Sequence, residues 1–281
     1  MRTHRMEFRV EDMCRVLEVK KSGFYMWLRR GPSARIRHEH DVLKPRVRIA
    51  FEESRQTYGC VRIDQALRDI GVHTSTRRIR RIMKNDNLVP RRVKSYKCTT
   101  KSSGKPVCPD LVNRKFTADR INTIWVSDIT QVMTDDGWLY LASILDLCSR
   151  YLVGWATGPQ INDDLVIRAF MMAYTQREPE PGFIVHSDHG SQYTSSLFGS
   201  NVRLYGGVQS MGSIGDCFDN ASAESFNAII KGDCLDHEDL LSREHTTKII
   251  FDYIEVFYNR KRKHSSIGYM SPHQFEQALM V

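Results

Sequence analysis

At residue 121 the texture of the chain changes, and that change limits what it can fold into. Residues 124–130, 138–147 and 151–156 are three runs rich in apolar and β-branched side chains, the composition of consecutive strands. Asp135-Asp136-Gly137 supplies a turn between the first two. Asp163 and Asp164 open a helix whose Leu165, Ala169, Phe170 and Ala173 face a core. A short buried strand at 183–187, a helix near 195–205, a strand at 208–211 and a helix over about 219–234 follow. Phe226, Ile229 and Ile230 form the buried stripe of that last helix. A meander followed by alternating helices and strands predicts a mixed α/β domain. A further helix over about 242–258 leads into Arg260-Lys261-Arg262-Lys263.

The segment before residue 121 reads as helical. Val10, Met13, Cys14 and Leu17, then Phe24, Trp27 and Leu28, predict two short helices within 7–30. Residues 33–54 form a charged helical stretch in which Pro45 marks a kink or a new start. Val61, Ala66, Leu67 and Ile70 give one helical face, Gly71 stops that helix, and Thr74, Ser75 or Thr76 caps a second containing Ile79, Ile82 and Met83. That second helix exposes Arg77, Arg78, Arg80, Arg81 and Lys84. Helix, glycine turn, basic helix is the outline of a helix-turn-helix, and the clustered cations favour contact with DNA over a merely solvated face. Whether the arginines read bases or touch only phosphates stays open. Residues 91–118, with Arg91, Arg92, Lys94, Lys97, Lys101 and Lys105 among Ser, Thr, Gly and Pro, read as an extended basic linker.

Charge follows the same division. Residues 1–121 hold 30 Lys+Arg and 13 Asp+Glu, a balance of +17, whereas residues 122–281 hold 11 and 20, a balance of −9. A strongly basic half implies a polyanion partner, because its cations displace condensed counterions from phosphates. No apolar run approaches the ~20 residues of a membrane span, and Arg2, Arg5 and Arg9 have no apolar segment behind them, which argues against a signal peptide. The seven scattered cysteines contain no CxxC pair, so neither a zinc site nor a disulfide framework is expected. These features describe a cytoplasmic protein.

Acids fall where the pattern calls for apolar residues. Asp128 lies inside the first strand, on the face of Val126 and Thr130; Asp188 ends the short strand at 183–187; Glu224 lies within an amphipathic helix. Carboxylates near a core are costly unless paired, protonated or bound to a cation. Three of them converging at a sheet edge would suit hard cations such as magnesium, which take oxygen ligands. Taken singly, each acid reads more readily as a cap or a partner for backbone amides than as a catalytic group. His186 and His189 flank Asp188 but suit a hard-metal site poorly, and are read as structural or DNA-contacting. Asp146 is read as a backbone hydrogen-bond acceptor in preference to a residue that orders the site.

Three stretches decide between these readings: Trp125-Val126-Ser127-Asp128-Ile129-Thr130, His186-Ser187-Asp188-His189-Gly190-Ser191-Gln192-Tyr193 and Asp219-Asn220-Ala221-Ser222-Ala223-Glu224-Ser225-Phe226. They resemble the motifs of the DDE transposase and retroviral-type integrase core, and 35 residues separate Asp188 from Glu224, a spacing typical of that superfamily. Lys231, seven residues after Glu224 and so about two turns along the same face, matches the basic residue which that family turns toward DNA. Met13-Cys14-Arg15-Val16-Leu17 with Ser22-Gly23-Phe24-Tyr25, Tyr58-Gly59 with Arg62-Ile63, and Phe257-Tyr258-Asn259-Arg260, His264-Ser265-Ser266-Ile267-Gly268-Tyr269 and Ser271-Pro272 resemble OrfB, the second reading-frame product of a large bacterial insertion-sequence family. Cys60 departs from the aromatic residue common after that first glycine, and the His/Cys zinc module of viral integrases is absent.

The resemblance implies a ribonuclease H-like core, a five-stranded mixed sheet with flanking helices, preceded by small helical DNA-binding domains. It divides the chain into a helical segment 1–54, a helix-turn-helix-like domain 55–92, a basic linker 93–118, the catalytic core 119–235 and a helical extension 236–281. It further implies that Asp128, Asp188 and Glu224 hold two magnesium ions, with manganese as a substitute. The expected activity is cleavage at insertion-sequence ends followed by attack of the freed 3′ hydroxyl, first on the flank of the other end to give a circular intermediate. Double-stranded DNA, both element ends and target, is the expected partner, with a homodimer or larger assembly on DNA and an upstream-frame product or fusion. A nucleoid-associated protein is expected. The competing classes are a DNA-binding regulator with a vestigial core and a plain nuclease of the same fold. The intact set of acids speaks against the first, and the basic arm at 56–105 against the second.

Overall fold

The computed structural model describes residues 1–31, 33–91, 108–113, 117–212 and 221–280. Most of the basic linker, with Arg92, Lys94, Lys97, Lys101 and Lys105, lies outside the described residues, as do Asp219 and Asn220 of the third motif.

The N-terminal part comprises α1 (Val10–Val16), α2 (Lys21–Arg30), α3 (Ala34–His38), a π-helical turn Glu39–Leu43, α4 (Lys44–Glu53), α5 (Cys60–Asp69) and α6 (Thr76–Asn85). Pro45 occupies the first turn of α4, where its missing N–H costs nothing, so the π-helical turn runs straight into a new start. After α5 the chain turns at Gly71, whose φ of +74° is costly for residues with a Cβ. Ser75 then caps α6 by accepting from the Arg78 amide. The expected helix–turn–helix outline is present.

The core comprises β1 (Ile124–Thr134), β2 (Gly137–Asp146), β3 (Leu152–Gly158), α7 (Asp163–Arg177), β4 (Ile184–Ser187), α8 (Ser196–Leu204), β5 (Val208–Met211) and α9 (Ala221–Asp233). The five strands are ordered β3-β2-β1-β4-β5. β1, β2 and β3 pair antiparallel, while β4 pairs parallel with both β1 and β5. This is the expected ribonuclease H-like mixed sheet. Asp135 and Asp136 join β1 to β2, and Gly137 sits at φ +99°. Residues 108–113 lie along the far edge: Leu111 donates to Ser210 Oγ at 2.9 Å and Val112 is buried.

Each face of the sheet carries its own core. On one, Trp125, Ile144, Val153 and Val185 meet α7 and α8 through Phe170, Ala173, Phe198 and Val202. α7 lies close against β3 because Gly154 has no side chain; a Cβ there would fall 2.3 Å from the Ala169 carbonyl. On the other, Val126, Leu141 and Leu145 meet Phe226 and Ile230 of α9 and Tyr253, Phe257 and Tyr258 of the C-terminal extension. This second cluster continues into Ile63, Leu67, Ile79 and Ile82 of α5 and α6, so the helix-turn-helix unit shares a hydrophobic core with the sheet.

The extension comprises α10 (Arg243–Phe251), a π-helical segment Asp252–Tyr258 and α11 (Pro272–Leu279). Sequence reading did not assign α11, although Ser271 and Gln274 form a capping box at its start. Asn259 covers the edge of β3, accepting from the Leu152 amide at 2.9 Å and donating to its carbonyl at 3.1 Å. Arg262, read from the sequence only as part of a basic run, is buried instead. Its Nε donates to Asp233 at 2.7 Å, and the Tyr253 hydroxyl donates to the same carboxylate oxygen at 3.0 Å.

Candidate active site

The sheet register sets the first two acids side by side. Val126 of β1 pairs with His186 of β4 in parallel. Two residues further on, in the same direction and on the same face, stand Asp128 and Asp188. Neighbouring strands lie about 4.8 Å apart, and the position is the carboxyl end of parallel strands, where open α/β sheets place their ligands.

Asp128 is half-buried and held by two donors. Its own strand supplies the Ile129 amide to Oδ1 at 2.8 Å, and α9 supplies Asn227 Nδ2 to Oδ2 at 2.8 Å. Burial raises its pKa most, the charge of Asp188 raises it further, the Ile129 amide lowers it, Glu224 raises it and Asn227 lowers it, to about 7. Asp188 accepts from the Gly190 amide at 3.0 Å, which fixes the turn expected after β4. Glu224 lies in the first turn of α9, and burial, then Asp188, raises its carboxyl above the usual range. The three acids therefore feel one another's charge, although among the described residues no group of three His, Cys, Asp or Glu side chains is gathered tightly enough to hold an ion. The donor set is oxygen alone, which suits magnesium or manganese and not a soft metal.

Lys231 is half-buried further along the same face of α9. Burial lowers its pKa, while Asp236 and then Asp128 oppose the shift. Behind Asp128, the buried Tyr193 hydroxyl meets Ser127 Oγ at 2.8 Å. His186 and His189 are taken up structurally: Nδ1 of His186 meets Ser210 Oγ at 2.9 Å, and Nε2 of His189 meets the Gly212 carbonyl at 2.6 Å. Asp146 accepts the amides of Asn122, Cys148 and Ser149, as the sequence reading expected. Asn227 was missed there. Its signal was a polar residue one turn after Glu224, on the face turned to the carboxylates.

The basic face of α6 divides. Arg77, Arg80, Arg81 and Lys84 are exposed, whereas Arg78 is half-buried. Arg78 Nε donates to Glu39 at 2.7 Å, and Arg81 also reaches that carboxylate at 2.7 Å.

Fold and similarity to known proteins together define an integrase-core polynucleotidyl transferase with a helix-turn-helix-like arm. The integrase core domain profile matches residues 118–217, a second integrase core profile matches 206–272, and an HTH-like domain profile matches 38–96. The chain is 36% identical over 275 residues to transposase InsF of insertion sequence IS3A from Escherichia coli (strain K12), covering 97% of this chain and 96% of the relative. It is 37% identical over 240 residues to the transposase of insertion sequence element IS904 from Lactococcus lactis subsp. lactis, covering 85% and 95%. The HTLV-2 integrase catalytic core solved with magnesium covers 55% of this chain and 96% of its own, at 19% identity and a TM-score of 0.42. The chain belongs to the IS3 family of insertion-sequence transposases. Among the described residues no helix is long and apolar enough to cross a membrane.

Proposed function

We propose that this transposase hydrolyses a phosphodiester at each end of an insertion sequence and joins the freed 3′ hydroxyl to a second phosphodiester, with Asp128, Asp188 and Glu224 as its catalytic, metal-holding residues. The observation that carries this reading is the parallel β1/β4 register, which sets Asp128 beside Asp188 at the strand ends with α9 and Glu224 alongside. Two magnesium ions, or manganese in their place, would activate the attacking oxygen and stabilise the leaving one. In the first step a water oxygen bonds to phosphorus, the P–O3′ bond breaks, and the departing 3′ oxygen takes up the proton that the water gives up. In the second the 3′ hydroxyl oxygen bonds to another phosphorus, whose own 3′ oxygen departs with the proton. One phosphodiester replaces another, so the joining step needs no external energy source.

The chain's own groups position this chemistry. Asn227 orients Asp128, and Lys231 brings a positive charge close to it for the DNA strand. Arg77, Arg80, Arg81 and Lys84 offer α6 to double-stranded DNA, and Arg78 fixes α6 in place through Glu39. Pairing two ends calls for a dimer or larger assembly on DNA, acting with or fused to an upstream-frame product at the bacterial nucleoid. A strand-transfer assay on a labelled element end tests the proposal against its competitors. Joined product in magnesium is expected; nicks without joining would make the protein a nuclease, and binding alone a regulator.

A further inference from the structure

A cavity of 380 Å³ opens on the other side of α9 from Asp128. Ser222, Ser225 and Ile229 line it, whereas Asn227 meets Asp128 from the opposite sector of the helix. Its volume falls in the range of small-molecule sites. Its walls bring together parts of the chain far apart in sequence: Arg62 from α5, Arg150 from the turn between β2 and β3, and Arg262 with Ser265 and Ser266 from the C-terminal extension. Among the described residues no carboxylate lines it, and Arg150 Nη1 donates to Ser222 Oγ at 2.9 Å. The Asp233 carboxylate answers Arg262 from behind, through Nε. Arg262 is 2% exposed, yet its Nη1 is buried without a hydrogen-bond partner, and so is Nε2 of the adjoining His264. Orphaned donors on a buried cation are rare in folded proteins, because each loses its water and gains nothing. The three guanidiniums are close enough to one another and to His264 that their charges, after burial, hold that imidazole neutral.

We propose that this pocket binds a DNA backbone phosphate other than the scissile one, with Arg62, Arg150 and Arg262 as the cationic clamp and the serine hydroxyls as donors. Guanidinium forks match phosphate oxygens in geometry and charge. α9 separates the pocket from the carboxylates by about one helix diameter, 10–12 Å, so the two sites grip different phosphates. Because α5 contributes Arg62, an occupied pocket also couples the helix-turn-helix arm to the catalytic helix.

The assignment rests on the reading of this chain as a DNA-processing enzyme, and its test reads binding and not catalysis. Arg62→Gln and Arg150→Gln are compared with wild type for affinity to a duplex element end across a salt series. Each variant is expected to bind about tenfold more weakly, with the slope of log K against log salt reduced by about 0.9, the value of one lost phosphate contact. Unchanged slopes in both folded variants overturn the proposal. Wild type is also expected to melt higher in inorganic phosphate than in chloride of equal ionic strength, and no rise counts against the site even if the variants misfold. Phosphate stabilisation that the variants lose while their DNA slopes stay at wild type assigns the pocket to a free phosphate and overturns the DNA assignment. Failure here leaves the strand-transfer loss expected of Asp188→Asn untouched, so the two readings fail separately.

Discussion

Asn227 of α9 and Asp128 of β1 are joined by a hydrogen bond of 2.8 Å from Nδ2 to Oδ2. The contact ties α9 to β1 beside the packing of Phe226 and Ile230, and Glu224 lies one turn earlier on the same helix. Asn227→Ala removes that anchor and leaves all three acids. Groups that orient metal-holding carboxylates typically matter by 10–100-fold. Strand transfer is expected to fall by about that factor, with a raised magnesium requirement and unchanged duplex binding. A magnesium titration of the joining rate checks it; a wild-type magnesium dependence would show that Asn227 orients nothing.

The raised Asp128 carboxyl links stability to pH. Its ordinary value is 3.8 and its value in the fold is about 7. The folded state therefore holds a proton that the unfolded state has released, and metal-free stability from this group declines as pH rises from about 4 to 7. Above that range Asp128 is charged and a divalent cation has most to offset. Magnesium is expected to raise the melting temperature by a few degrees at pH 8 and by clearly less at pH 6. Asp128→Asn should flatten the metal-free pH dependence in this window. Thermal melts at the two pH values, with and without magnesium, make the measurement.

Arg262 and Asp233 form an ion pair 2% and 4% exposed at their side chains, with N–O at 2.7 Å. Removing one partner strands the other charge in the core, at a typical cost of about 3–5 kcal/mol. Asp233→Ala is expected to lose stability on that scale in urea unfolding, and replacing both residues with apolar side chains of similar volume should recover much of it. A loss below 1 kcal/mol in the single variant would contradict the buried pair.

On α6 the arginines should separate by role. Arg77→Gln with Arg80→Gln removes two exposed cations and is expected to lower the salt slope of DNA binding by nearly two. Arg78→Gln instead breaks the bond to Glu39 and should cost about 1 kcal/mol of stability with a smaller binding effect. Salt-series binding beside thermal melts of both variants separates these outcomes.

An acid inside a β-branched run, such as Asp128, contradicts its neighbours and demands a reason, but it was the resemblance of the three motif stretches that made the catalytic half legible. The strands of the meander, the cap at Ser75 and the turn at Gly71 were readable for local reasons. Contacts between distant segments were not. Glu39 lies 39 residues from Arg78, so nothing local marked Arg78 as partly occupied. Arg262 sits in a run of four cations that reads as surface, and only the fold reveals that Asp233 draws it inward. The arginine pocket was hidden altogether, since Arg62, Arg150 and Arg262 belong to segments that the sequence divides among separate domains.

The central claim is that the acids at the β1/β4 strand ends perform the chemistry. Asp188→Asn tests it most directly, because it exchanges one carboxylate oxygen for an amide nitrogen at nearly constant shape. The variant is expected to bind a labelled element end like wild type and to yield neither cleaved nor joined product in magnesium. Cleavage and joining at near wild-type rates in that variant would contradict the account.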